Sequence, residues 1–314
     1  MINEFNIINK ICNIAECNRT LKRKSNYENK QIELSNTLLK KIENSKQIKK
    51  DFKSYITKFV QTLIDKNANF DFRILKKNIN DLNIVVLNNN EMDSGGKYSW
   101  HNNVIYIRED ELSTIENTIF HELFHMASYN RFKACGGFQD FLLYKGINEG
   151  YTQLLSEKYF SVKTNDYLVE KTIAKLLESI IDSSLMEKFY STANPQGLLN
   201  EISKYNGNDL DKARFLLKKI DDCQKILNLP SREFKEKTEE CCMIVKSIMI
   251  DLIEMFINKL KNENINSDIE EFFSNIITTI RFNGEEQIHI ILSLEEFNKY
   301  KELCYEISKN RKKH

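Results

Sequence analysis

Leu112-Ser113-Thr114-Ile115-Glu116-Asn117-Thr118-Ile119-Phe120-His121-Glu122-Leu123-Phe124-His125-Met126-Ala127 is the stretch on which the reading of this chain turns. Leu112, Ile115, Ile119, Leu123 and Ala127 recur three or four apart, which predicts an amphipathic helix. Ser113 followed by Glu116 fits a capping box, so the helix is expected to start with Ser113 as its N-cap. Within it lies His-Glu-x-x-His. Residues i and i+4 share a helical face, so both imidazoles can reach one cation. Glu122 sits beside the first histidine, where it can act on a metal-bound water without ligating the metal. In a chain of 314 residues with 5 histidines, chance produces this pattern about 0.0075 times.

A catalytic zinc ordinarily has three protein ligands and one open position. The third ligand must therefore come from elsewhere. Glu149, in Gly146-Ile147-Asn148-Glu149-Gly150-Tyr151-Thr152, is the best candidate, 24 positions after His125. Asn148 is expected to cap a second helix running to about Phe160. Gly136, Gly137 and Gly146 mark a long connection that lets this helix fold against the first. Asp140, His101 and Asp166 are weaker substitutes as ligand. Asp140, Asp166 and Glu157 are candidates to orient the histidines, and the sequence does not choose among them.

Upstream, Asp81 to Leu87 reads as a buried strand and Asn88 to Gly96 as a loop. Tyr98-Ser99-Trp100 and Val104-Ile105-Tyr106-Ile107 flank His101-Asn102-Asn103, which suggests a hairpin. Residues 19–58 are basic, with 12 Lys/Arg against 4 Asp/Glu. Leu38, Leu39, Ile42, Phe52, Tyr55, Ile56, Phe59 and Leu63 give that region a helical apolar stripe, with the lysines in water. From Asn165 onward the pattern is helical almost throughout. Its clearest stripe is Ile244/Val245, Ile248/Met249, Leu252/Ile253, Phe256 and Leu260, read as core. The expected class is thus α+β and helix-rich. Residues 1–69 form an N-terminal helical segment, 70–165 a catalytic core, and 166–314 a C-terminal helical region.

His121-Glu122-Leu123-Phe124-His125 followed by Asn148-Glu149-Gly150 resembles the zincin superfamily of metallopeptidases, in its glutamate-ligand branch, the gluzincins. The resemblance covers roughly residues 81–162. It implies a small mixed sheet, a motif helix, a third-ligand helix and one zinc per chain held by His121, His125 and Glu149. It also implies hydrolysis of a peptide or protein substrate, with Glu122 as general base. Val104–Arg108 stands where zincins place the edge strand that holds an extended peptide. Several gluzincins carry a tyrosine ahead of the third ligand as transition-state donor. Tyr144 is the candidate here, with Tyr151 the alternative. The competing class is a non-catalytic or regulatory protein-binding module on a zincin scaffold. A third reading is a peptidase dedicated to one protein, such as a repressor.

The remaining composition mainly excludes. The charges, 46 Lys+Arg against 45 Asp+Glu, nearly cancel and give no general case for a nucleic-acid partner. The most apolar stretch, residues 241–257, is broken by Lys246, Asp251 and Glu254, so no membrane span is expected. Met1-Ile2-Asn3-Glu4 lacks the start of a signal peptide, which makes a cytoplasmic location the expectation, unconventional export aside. Seven irregularly spaced cysteines read as reduced thiols. Neither Cys12-x4-Cys17 nor Cys241-Cys242 has convincing zinc-site spacing.

Overall fold

The computed structural model describes residues 33–311, except 35, 67, 163, 165, 264–267 and 283–285. Cys12, Cys17 and the first part of the basic segment lie outside the described residues. The architecture is helix-rich α+β. Helices α1 (36–44), α2 (Lys50–Asp65) and α3 (Phe72–Asn80) lead into strands β1 (Asn83–Leu87), β2 (Gly96–Ser99) and β3 (Val104–Arg108). A 3₁₀ turn then opens the motif helix α4 (Ile115–Ser128), and a short pair, β4 (Tyr129–Asn130) and β5 (Cys135–Gly136), precedes α5 (Lys145–Phe160). Next come α6 (Leu168–Ile181), α7 (Ser183–Ser191), α8 (Pro195–Tyr205), α9 (Leu210–Leu227) and the long α10 (Ser231–Asn262). Helix α11 (Ile269–Ser274), the pair β6 (Thr279–Ile280) and β7 (His289–Ile290), and α12 (Leu294–Arg311) complete the chain.

The three-stranded sheet has the order β1-β3-β2. Strand β1 runs parallel to β3 and β2 antiparallel to it, so the sheet is mixed. The expected hairpin is present, with Asn103 at its turn in the left-handed region (φ 55°). Two expectations need correction. Val104–Arg108 is the middle strand, and β2 is the edge that packs toward the motif helix. Strand β1 is the other edge, with only Ile84 fully buried, because one of its sides has no neighbouring strand.

One apolar core runs through all three sequence regions. The stripes at Ile56, Phe59 and Leu63 and at Val245 through Leu260 are buried in it, as their spacing predicts. No described helix is long and apolar enough to cross a membrane. The described cysteines, 135, 223, 241, 242 and 304, are free thiols.

Glu170, in the first turn of α6, is 3% exposed. Burial, with help from the charge of Glu149, pushes its carboxyl from the ordinary 4.5 up to about 7. An acid raised in the folded state takes stability away as pH rises from its unfolded value through its folded one. The chelator-treated protein should therefore lose stability between pH 5 and pH 8. Glu170→Gln should remove a loss on the order of 3 kcal/mol. Denaturant melts of both proteins at the two pH values measure it.

Candidate metal centre

Rotation of the motif helix is set by its aromatic residues. Phe120 and Phe124, also i and i+4, are fully buried. Phe124 meets Phe59 of α2 edge-on at 4.9 Å, and Phe120 stacks on Phe160 of α5 at 3.9 Å. Anchoring that stripe turns the next one, His121 and His125, toward α5. The C-terminal end of α4 is fixed by Asn78, whose side-chain amide donates to the carbonyls of Met126 (2.8 Å) and Tyr129 (2.7 Å). The expected capping box is not formed. Thr114 is the N-cap and makes no side-chain cap bond, Ser113 lies in the preceding 3₁₀ turn, and Glu116 pairs with Lys58 at 2.7 Å.

Helix α5 starts before Asn148, so that residue is not its cap. The cap position is Tyr144, in the left-handed region at φ 63°. Asn148 instead accepts the Phe138 N–H through its side-chain carbonyl, at 2.9 Å, and its amide nitrogen lies 3.4 Å from His125 Nδ1.

These helices bring His121, His125 and Glu149 together. His121 Nε2, His125 Nε2 and Glu149 Oε2 form a triangle with every side 3.1 Å. Their side chains are 7%, 14% and 12% exposed. Three such contacts need three hydrogens, but the two Nε2 atoms carry at most two, and those would face each other. A cation in front of the triangle satisfies all three atoms at once. Bonds of ~2.0–2.1 Å in a tetrahedron place ligand atoms roughly 3.3–3.4 Å apart, close to the observed spacing. The trio can therefore hold a metal ion, and it is the one such group among the described residues. Burial opposes the charge of Glu149, but His125 and His121 outweigh it and hold the carboxyl well below its ordinary range.

His121 is oriented by Gln153, whose Oε1 lies 3.1 Å from Nδ1. A proton on Nδ1 donated there leaves Nε2 free for a cation. Asp140 and Asp166 are exposed, and Glu157 pairs with Lys171, so none of these orienting candidates is needed. His101 is exposed and stacks on Trp100.

Glu122 is buried beside this face, at 6% exposure. Burial pushes its carboxyl up to about 7, against the opposing pull of His121, and the backbone N–H of Tyr98 in β2 donates to it. The strand comes this close because residue 96 is glycine. A Cβ there would stand 2.3 Å from Thr118 Cγ2 and 3.0 Å from Glu122 Oε1.

Neither expected tyrosine has its hydroxyl among these groups. The Tyr151 hydroxyl donates to Glu178 at 2.9 Å. Tyr144 is held by its backbone N–H, which donates to Asp221 on α9. Tyr167, which the sequence reading missed, lies nearly parallel over the His121 ring at 5.4 Å. The charge of Glu149 first, then burial and the charge of Glu122, push its hydroxyl far up.

Comparison of the chain with known protein families, curated proteins and solved structures gives no match to any of them.

The trio should bind one divalent ion per chain, counted by elemental mass spectrometry. His125→Ala and Glu149→Ala should each abolish or sharply weaken binding. Gln153→Leu keeps every ligand and should weaken it about 10- to 100-fold in a chelator competition.

Proposed function

We propose that the chain is a zinc-dependent endopeptidase of the gluzincin kind. The observation that carries this reading is Glu122, a carboxyl that takes no part in the ligand triangle yet is buried next to it. A site built only to hold an ion has no need of a second, non-ligating carboxyl raised to about 7. Two imidazoles with one carboxylate are a donor set that suits zinc and leaves room for a fourth ligand.

When bound, zinc would polarise a substrate carbonyl and bring the pKa of a water toward ~7. Glu122 takes the proton of the attacking water and returns it to the leaving amine. A carboxyl near the operating pH is suited to both transfers. Glu149 stays ionised throughout, and Gln153 keeps His121 in the tautomer that presents Nε2. Strand β2 supplies the sheet edge beside Glu122, along which an extended peptide can lie. Tyr167, rather than Tyr144 or Tyr151, is the hydroxyl donor for charge developing on the substrate oxygen.

Peptide-library turnover by the zinc-loaded chain tests the reading. Glu122→Gln should abolish hydrolysis while zinc content stays at the wild-type level. Hydrolysis retained in that variant would exclude the mechanism, and no turnover of any peptide by zinc-loaded wild type would favour the binding-module reading. Tyr167→Phe should lower kcat about 10²- to 10³-fold with zinc content unchanged. Tyr144→Phe should leave kcat where it is.

A further inference from the structure

Glu149 occupies its corner of the triangle only if α5 is held at one rotation and one height against α4. What holds the start of α5 is not local. The first N–H groups of a helix have no partner within it. Tyr144, at the cap position, offers no side-chain cap bond, and its left-handed backbone is uncommon for a bulky residue. Asp221, in the middle of α9, supplies what is missing. One carboxylate oxygen accepts the Tyr144 N–H at 2.6 Å, and the other accepts the Gly146 N–H at 2.8 Å. A second, steric contact seats the same turn. A Cβ on Gly146 would lie 2.9 Å from the backbone carbonyl oxygen of Ile220, so α9 comes against α5 at that point without room for a side chain. Glu149 follows Gly146 by three residues, within one helical turn.

We infer that Asp221 is the positioning residue of the metal centre, a clamp from the C-terminal helices that sets Glu149 against His121 and His125. This rests on the metal-binding reading above. The clamp acts through α5, chiefly through the ligand Glu149 and less through Gln153 and Asn148, which stand on the same helix behind His121 and His125. It also gives the C-terminal helical region a defined task at the site. Metal sites tolerate ligand displacements of only a few tenths of an ångström, so a small slip of the first turn of α5 is felt in affinity.

The test is a zinc-affinity cycle on the full chain by chelator competition, with wild type read first. Asp221→Ala should weaken zinc binding about 10- to 100-fold. In a Glu149→Ala background, read at zinc concentrations where the two histidines still bind, the same change should cost several-fold less than in wild type. Asp221→Asn keeps one acceptor and should fall between wild type and Asp221→Ala. Gly146→Ala disturbs the same contact without removing a polar group and should weaken zinc in the same Glu149-dependent way. It carries the test, with Asp221→Asn, if circular dichroism shows Asp221→Ala to be unfolded. Amide exchange in the first turn of α5, measured on the metal-free chain, should speed up in each clamp variant. Equal losses with and without Glu149, or unchanged zinc affinity in folded variants, would overturn the clamp. Absence of zinc from reconstituted wild type would instead overturn the metal reading on which it rests.

Discussion

Three atoms held 3.1 Å apart, two imidazole nitrogens and one carboxylate oxygen, are the constraint around which this chain is built. No single helix can satisfy it. The histidines come from α4 and the carboxylate from α5, and the helices must meet at one rotation and one height. The packing reads as the solution to that problem. Phe120 and Phe124 fix the rotation of α4 against α2 and α5, and Asn78 closes its C-terminal end. At the other side, Asp221 and the close approach at Gly146 fix the start of α5. Most of these supports lie outside the two ligand motifs.

What was legible in the sequence was what depends on short spacings. The motif helix, the partnership of His121 with His125, the β2–β3 hairpin and the buried stripe of α10 all follow from periods of 3.6 or 2 and from turn chemistry. Glu149 was within reach because the donor count demanded a third ligand. Gln153 was equally readable. It lies four residues after Glu149, so the i, i+4 rule places it on the same face, looking at the same histidines.

The misreadings have a common physical source. Ser113 and Asn148 have the chemistry of caps, but a cap is decided by which partner the orphan N–H groups meet. For α5 that partner is Asp221, 77 positions from Tyr144. The order of strands in a sheet is likewise not their order in the chain, so Val104–Arg108 could be placed beside the motif helix in sequence and still be the middle strand. The resemblance points to Tyr144, ahead of Glu149, and to Tyr151 as the alternative. On a helix, nearness in sequence says little about where a hydroxyl ends, and Tyr151 points to Glu178. Tyr167 reaches the site from the N-cap position of α6, where its ring lies over His121.

Glu122 and Glu149 carry the same functional group within reach of each other's charge, and their surroundings separate them. Glu149 faces two imidazoles, whose attraction outweighs the cost of burial and keeps it ionised. Glu122 lies against β2, close to Gly96 and accepting the Tyr98 N–H, and burial prevails. A carboxyl that stays charged is a ligand, and one poised near neutrality is a proton carrier, so the environments alone suffice to assign different tasks. The division is set by rotation about the axis of α4. Turning that helix by one residue so as to carry Glu122 into the place of His121 would carry the histidines into the places of Phe120 and Phe124 and set Leu123 against the strand. The phenylalanines that prevent this turn therefore fix the chemistry of the site as well as its packing.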